Sequence, residues 1–312
     1  MSFAAMMLAA VALDALLGWP AALFARIGHP VTWLGALISG LDRILNAGSP
    51  RARFWTGCTT ILLVVMAAAL PALAIQMMLP STPVGTLIGA VLAWPLIAVR
   101  SMHDHVLAVA QPLMRGDMAA ARHAVSMIVG RDPSQLDAAG VARAGTESLA
   151  ENTSDGIVAP VFWGVIAGLP GIAAYKAINT LDSMIGHRTS QYEHFGKASA
   201  RIDDLVNLLP ARLCGLVFAL ASGRRAPQAF GVMWRDAHQH RSPNAGWPES
   251  AMAGALQIRL SGPRVYGDRI APEPWLNEGA DDPQPTDLFR ALSLYRRAMA
   301  LMALVLLGLA FM

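Results

Sequence analysis

The chain has 312 residues, 54% hydrophobic and only 14% charged, whereas a soluble domain carries about 25% charged residues. A net charge of +3 and a pI near 9.2, without a basic stripe interleaved with aromatics, argue against nucleic-acid binding. Cys58 and Cys214 each stand alone in apolar sequence, which excludes a disulfide framework and a cysteine metal cluster.

In chain order, the first apolar stretch runs from Phe3 to Phe24. It has no basic start, contains Asp14 and is followed by no small-residue cleavage site, so it reads as a retained helix rather than a secretory signal. Thr56 to Leu79, in the length range of about 17 to 25 residues that crosses a bilayer, and Val84 to Val99, which is short of it, form a helical hairpin about the uncharged turn PSTP at 80–83. Arg26, Arg43, Arg51 and Arg53 precede this hairpin, and arginine-rich connections favour the cytoplasmic side. Residues 100–155 are a polar insertion with helical periodicity, in which Asp132-Pro133 has the form of a helix start. From Gly156 the chain is apolar again but is broken by Pro160, Gly164 and GLPG at 168–171. Breakers at membrane depth are tolerated where protein or a cavity satisfies the freed backbone, so this segment is expected to be re-entrant or broken. The stretch 203–223, with Pro210 and Arg212 inside it, has the same character. Residues 224–290 are polar and rich in Pro and Gly, with no alternating strand pattern, and a last apolar helix covers Met299 to Met312 with its flank from Leu292. The chain therefore reads as an all-α integral membrane protein, a multi-helix bundle with broken helices and polar insertions. We treat it as one membrane-embedded domain, 1–312: transmembrane helices in 1–100, polar-striped helices in 101–223, a loop-rich insertion in 224–291 and a final transmembrane helix in 292–312.

Three polar stripes stand beside or inside the apolar segments. At about 100° per residue, Lys176, Asn179, Asp182 and Ser183 share one helix face. Arg201, Asp204, Asn207 and Arg212 share another, with Asp203 at its edge, and Glu147, Ser148, Glu151, Asn152 and Asp155 make the third. Ionisable groups in such surroundings are costly and mark function by default, although salt bridging between helices is the competing account. The three stripes are expected to line one cavity. Paired carboxylates with nearby amides suit Mg²⁺, which keeps several waters and is completed by substrate phosphates. Lys176, Arg201 and Arg212 suit phosphoryl or carboxylate oxygens. Neither a phosphate-binding G-x-x-x-x-G-K-[ST] loop nor a G-x-G-x-x-G turn is present. His238 and His240, two residues apart, do not share a helix face as a metal pair would. Turn chemistry in SPNAGWPE sets Asn244 and Glu249 on a stiff loop. His29, before Pro30, is either a loop ligand or, more cheaply, a helix cap.

The runs ESLAENTSDGIVAPVFW, AYKAINTLDSMIG, FGKASARIDDLVNLLPARL and RSPNAGWPESAMAGAL, in that order, together with HPV near residue 30, resemble the adenosylcobinamide-phosphate synthase family of cobalamin biosynthesis, known as CobD or CbiB. The resemblance covers nearly the whole chain. It implies a multi-pass enzyme of the cytoplasmic (inner) membrane, a carbon-nitrogen ligase joining adenosylcobyric acid to 1-amino-2-propanol or its O-phosphate, with ATP and Mg²⁺ at a cytoplasmic site.

In that frame Asp182, Asp203 and Asp204 are the expected metal ligands. Lys176, Arg201 and Arg212 would neutralise phosphate, and Asn179 and Asn207 would orient the ligands. Glu151 or Asp155 would deprotonate the incoming ammonium, since an amine must be neutral to attack. His29, Asn152, Asn244 and Glu249 would contact substrate. Lipid is the expected environment and a homo-oligomer is compatible with the sequence. Two other classes stand beside this reading: a membrane sensor of the more distantly similar β-lactamase-regulatory family, and a corrinoid-binding or transport protein.

Overall fold

The structure, a computed structural model, describes residues 2–130, 132–266 and 269–312. Helix takes up 77% of the chain, which leaves no strand layer to bury and makes helix packing the source of the core. The helices are α1 Phe3–Leu17, α2 Ala21–Ile27, α3 Pro30–Leu45, α4 Pro50–Met78, α5 Pro83–Ala93, α6 Val99–Met114, α7 Met118–Ser126, α8 Ala138–Thr153, α9 Ala159–Ile185, α10 Lys197–Ala221, α11 Ala226–Asp236, α12 Gly246–Leu256 and α13 Pro285–Ala310. Among the described residues six stretches are long and apolar enough to cross a membrane: Ala21–Leu45, Pro50–Met78, Pro83–Met114, Ala138–Ile185, Lys197–Ala221 and Pro285–Ala310. Large apolar side chains such as Leu62, Leu70, Met77, Leu87 and Leu304 remain exposed along them, as lipid-facing surface does. The protein is a multi-pass membrane protein.

Local chemistry explains where the helices differ from the sequence reading. The first apolar stretch is not one helix to Phe24, because Gly18 takes a φ of 58° and Pro20 follows, ending α1 at Leu17. Val84 to Val99 likewise divides at a 3₁₀ turn, Trp94–Leu96. Asp132-Pro133 starts no helix. The Asp132 carboxylate instead accepts the backbone N–H and the hydroxyl of Ser134, at 2.9 Å each, which closes a turn. The start falls at Asp137, whose side chain accepts Gly140 N–H at 2.7 Å. The insertion after residue 223 holds α11 and α12 and two short antiparallel ribbons, β1 Leu260–Ser261 with β4 Trp275–Leu276 and β2 Arg264–Tyr266 with β3 Arg269–Ala271. These ribbons are too short for a period-2 pattern to show in sequence.

The chain folds into two compact units, residues 1–98 with 159–207 and 305–312, and residues 99–158 with 208–304. In the first, α9 packs on α4, α1, α3 and α5. Ile38, Ile61, Val64, Ala177, Leu181, Ile185 and Phe195 form a buried core there. Gly164 takes the Met7 side chain against its backbone, the close approach that small residues permit between membrane helices. The expected break in α9 is real. Gly168 has φ 68° and ψ −144°, and the Leu169 N–H left without a helical partner donates to the Gln76 side-chain carbonyl of α4 at 2.7 Å. Gln76→Leu strands that N–H, so its thermal midpoint in detergent should fall by the equivalent of about 1–3 kcal/mol. An unchanged midpoint would show that the glutamine does not hold the break.

In the second unit α8 packs with α6, α7, α12 and β1, and α11 packs on α12. The guanidinium groups of Arg143 and Arg259 lie over the Trp275 ring at 4.7 Å and 4.2 Å from its centroid, and both arginines pair with Asp282. Stacked cations over an indole with a shared counter-ion tie the ribbon segment to α8.

Candidate functional site

The first unit gathers a connected set of polar side chains from α9 and α10. The Tyr175 hydroxyl donates to Asn207 Oδ1 at 2.9 Å, and Asn207 Nδ2 donates to Asp203 Oδ2 at 2.9 Å. All three side chains are buried, Tyr175 at 2%, Asn207 at 1% and Asp203 at 8% exposure. Among the described residues no donor meets Asp203 Oδ1 with hydrogen-bond geometry, although the Asn179 amide lies beside the carboxylate. A buried carboxylate oxygen without a donor carries a large desolvation cost, which makes this atom the strongest candidate contact of the site.

Around it lie the other expected groups. Asp203 sits in the electrostatic field of Asp182 and Asp204 and beside the Asn179 amide. Lys176 Nζ donates to Asn179 Oδ1 at 3.5 Å. Gly186, one turn beyond Asp182, packs directly on its carboxylate, and a β-carbon there would collide with it. The geometry of α10 is held by a second device. Pro210 has no N–H to offer the carbonyl one turn back, and that carbonyl, of Val206, accepts Trp163 Nε1 at 3.1 Å. The sequence reading placed Asp203 at the edge of the α10 stripe; the structure puts Asp203 and Asn207 at its buried centre, leaves Asp204 half-buried and turns Arg201 out to the surface. The i, i+4 spacing of 203 and 207 is what aligns them.

His29 acts as the cap of α3: its Nδ1 accepts Val31 N–H at 3.2 Å, and the Thr32 hydroxyl accepts the His29 N–H at 3.2 Å. The ring meets Trp19 edge-on at 5.1 Å and also lies in the field of Lys176.

The remaining expected residues belong to the second unit. Glu147 is absorbed structurally, its Oε1 accepting Ser261 N–H at 2.7 Å. Asn152 donates to the Ser148 carbonyl at 2.9 Å and lines a cavity of about 390 Å³ with Ser101, Met102, His105 and residues 127–129. Glu151 is exposed. Asp155 sits in a single π turn, Ser154–Val158, a local irregularity often found at functional positions, and lies near Cys214. Glu249 is not on a loop; it occupies the first turn of α12, 1% exposed. Its carboxylate is 3.8 Å from His240 Nε2. His240 Nδ1 accepts Ser242 N–H at 3.1 Å, which puts the proton of a neutral ring on the nitrogen facing Glu249. Asn244 is buried in the preceding turn. The Arg212 guanidinium lies 4.5 Å over the Trp247 ring and donates to the Leu208 carbonyl at 2.6 Å. Tyr175 and Trp247 carry no spacing signal in the sequence, as an aromatic side chain does not; His240, set aside there as half of a metal pair, instead faces Glu249.

Among the described residues no group of three or more His, Cys, Asp and Glu side chains closes into a preformed metal cage. Mg²⁺ is usually held by one or two carboxylates and completed by waters and phosphates, and the buried Asp203 carboxylate, in the field of Asp182 and Asp204, is a donor of that kind.

These features define a class: a multi-pass α-helical membrane protein with a buried carboxylate, amide and lysine site between two of its helices. The family model described as CobD/Cbib protein matches residues 7–295, and the chain belongs to that family. It is 67% identical over 98% of its length to the cobalamin biosynthesis protein CobD of Rhodobacter capsulatus, covering 97% of that protein. It is 47% identical over 94% of its length to the protein of the same name from Brucella suis, covering 92% of it, and 45% identical over 94% to that of Sinorhizobium fredii, covering 93%. No solved structure matches the chain.

Proposed function

We infer that this protein is an enzyme of cobalamin biosynthesis that joins the carboxylate of adenosylcobyric acid to 1-amino-2-propanol or its O-phosphate through an amide, with consumption of ATP. Its membership of the CobD/CbiB family and the names of its relatives support the pathway. The observation that carries the chemistry is the buried Asp203 carboxylate oxygen on the Tyr175–Asn207–Asp203 chain. A carboxylate is a poor acyl donor. Transfer of the terminal phosphoryl group of ATP to it gives an acyl phosphate and ADP, and attack by the neutral amine then forms the amide and releases phosphate. Such transfer asks for positioning and charge neutralisation rather than covalent help.

Mg²⁺, when bound, would screen the phosphate charges as they redistribute. Asp203 would hold it with Asp182 or Asp204, while Tyr175 and Asn207 fix the Asp203 carboxylate. Lys176 supplies a positive charge to the phosphoryl oxygens, and Asn179 orients its ammonium. In the second unit Glu151 or Asp155 is the proposed base for the amine, with Asp155 favoured by its π turn. Asn152, at the wall of a cavity, and buried Asn244 and Glu249 are the proposed substrate contacts. Arg212, stacked on Trp247, retains donors for an anionic group, and His29 is proposed to reach substrate only through its neighbourhood with Lys176. Exposed Arg201 is the weakest of the proposed phosphate contacts.

The test is amide formation by the purified chain in nanodiscs, read as product mass and as ADP and phosphate released one for one. Corrinoid binding without ATP turnover would support the sensor or transporter class and overturn this reading. The site is further proposed to face the cytoplasm, where ATP is. Ser190, exposed in the connection after α9, should, as Ser190→Cys, react with a membrane-impermeant thiol reagent only in inside-out vesicles; labelling confined to right-side-out cells would sink the cytoplasmic assignment.

A further inference from the structure

Outside these residues the most unusual chemistry is a basic cavity lying wholly in the second unit. Ser222, Arg224 and Arg225, in the turn after α10, and Arg290, Ser293 and Arg297, in the first turns of α13, line a cavity of about 280 Å³ with no acidic residue in its wall. Part of this has a structural account. Arg225 donates to the Ala255 carbonyl at 3.3 Å and Arg290 to the Leu256 carbonyl at 2.7 Å, so both satisfy the C-terminal end of α12, where the helix dipole favours cations. Arg290 also pairs with Asp287.

That account does not extend to the other two guanidinium groups. Among the described residues Arg297 bonds only its own helix, Nε to the Ser293 carbonyl at 3.4 Å, and Arg224 forms no ion pair. A guanidinium has five N–H donors in a planar fork, and the bonds named use at most two on any of these arginines. Four guanidinium charges around one concavity, against the single carboxylate of Asp287, repel one another; a bound anion relieves that repulsion and takes up the spare donors. The volume is at the small end of ligand cavities, the size of a phosphate-bearing headgroup rather than of a corrinoid. Its walls stand at the polar margins of two spans, Lys197–Ala221 and Pro285–Ala310, the depth at which basic pockets between helices meet anionic headgroups.

We propose that this cavity is a binding site for a phosphate-bearing anion, held by Arg224 and Arg297 with Arg225, Arg290 and Ser293 behind them. The shared chemistry is a phosphate mono- or diester; its source is a lipid headgroup or a soluble phosphorylated ligand. The site is independent of amide formation and needs no turnover to be detected. The full chain is titrated with inorganic pyrophosphate in phosphatidylcholine nanodiscs, read by thermal shift. In parallel it is exposed in detergent to phosphatidylglycerol and phosphatidylcholine, read by native mass spectrometry. The wild type is expected to bind one of the two anionic probes, with pyrophosphate assigning a soluble ligand and selective retention of phosphatidylglycerol assigning lipid. Affinity for that probe should fall at least about tenfold in R224Q/R297Q and hold in R26Q/R43Q, which removes the same charge elsewhere. Absence of binding by the wild type, no loss in R224Q/R297Q, or an equal loss in R26Q/R43Q would overturn the proposal. If R224Q/R297Q does not purify as a folded species, R224K/R297K takes its place; a loss of bidentate geometry should still weaken binding about threefold or more, and undiminished binding would overturn it.

Discussion

Asp203→Asn should reduce ATP-dependent amide synthesis by about 10²–10³-fold, the cost typical of removing one preorganised electrostatic group from a reacting centre, while leaving the protein folded. The amide has the shape of the carboxylate and still offers Asn207 Nδ2 an oxygen acceptor in place of Asp203 Oδ2. What it removes is the negative charge at Asp203 Oδ1. A carboxylate kept only for packing would behave in the opposite way: its neutral replacement would spare activity, and would stabilise the fold by relieving a buried charge. Rate and thermal midpoint measured on one preparation separate the two roles. Full activity in Asp203→Asn would remove the proposed metal site. Tyr175→Phe tests the same chain one step back. It takes away a hydroxyl that orients Asn207, so a smaller loss, about tenfold, should respond to raised Mg²⁺ concentration, because a positioning defect weakens metal affinity.

Lys176→Ala should lower turnover by a comparable factor, about 10²–10³, through loss of the single ammonium on the α9 stripe. Lys176 is half-buried, so its charge acts with less screening by solvent than a surface lysine does. Lys176→Arg keeps the charge but replaces a compact ammonium with a wide planar fork. With Asn179 Oδ1 only 3.5 Å from Nζ, the fork displaces its neighbour, and recovery should be partial. An activity in Lys176→Arg equal to wild type would mean that charge alone matters there. Activity retained in Lys176→Ala would assign phosphate neutralisation to another group.

Much of this was legible in the chain. The lengths of the apolar runs gave the membrane class, and GLPG gave the break in α9 at the residue where φ turns positive, Gly168. The spacing of Lys176, Asn179 and Asp182 gave a single polar face. Other parts were not. A run of apolar residues does not reveal that Gly18 and Pro20 divide it, unless turn chemistry is weighed above composition. Asp132-Pro133 and Asp137 are both acceptable helix starts locally, and the Asp132 turn with Ser134 decided between them. Glu147 reads as one member of a polar stripe lining a cavity, yet its Oε1 accepts a backbone N–H from 114 residues away.

The sequence by itself determined the solvent this protein folds in, the helical period of its polar stripes and its family. Those properties are local: hydropathy sums along the chain, and a 3.6-residue period sets the angles between side chains on one helix. The period does not set which direction on the helix is inward. For α10 the packing of Tyr175 on Asn207 and of Trp163 on Val206 chose Asp203 and Asn207 for the interior and turned Arg201 outward. The Gln76 carbonyl that closes the break in α9 comes from 93 residues earlier. Only the tertiary structure decided these, because each depends on a partner that the chain brings near by folding and not by sequence proximity.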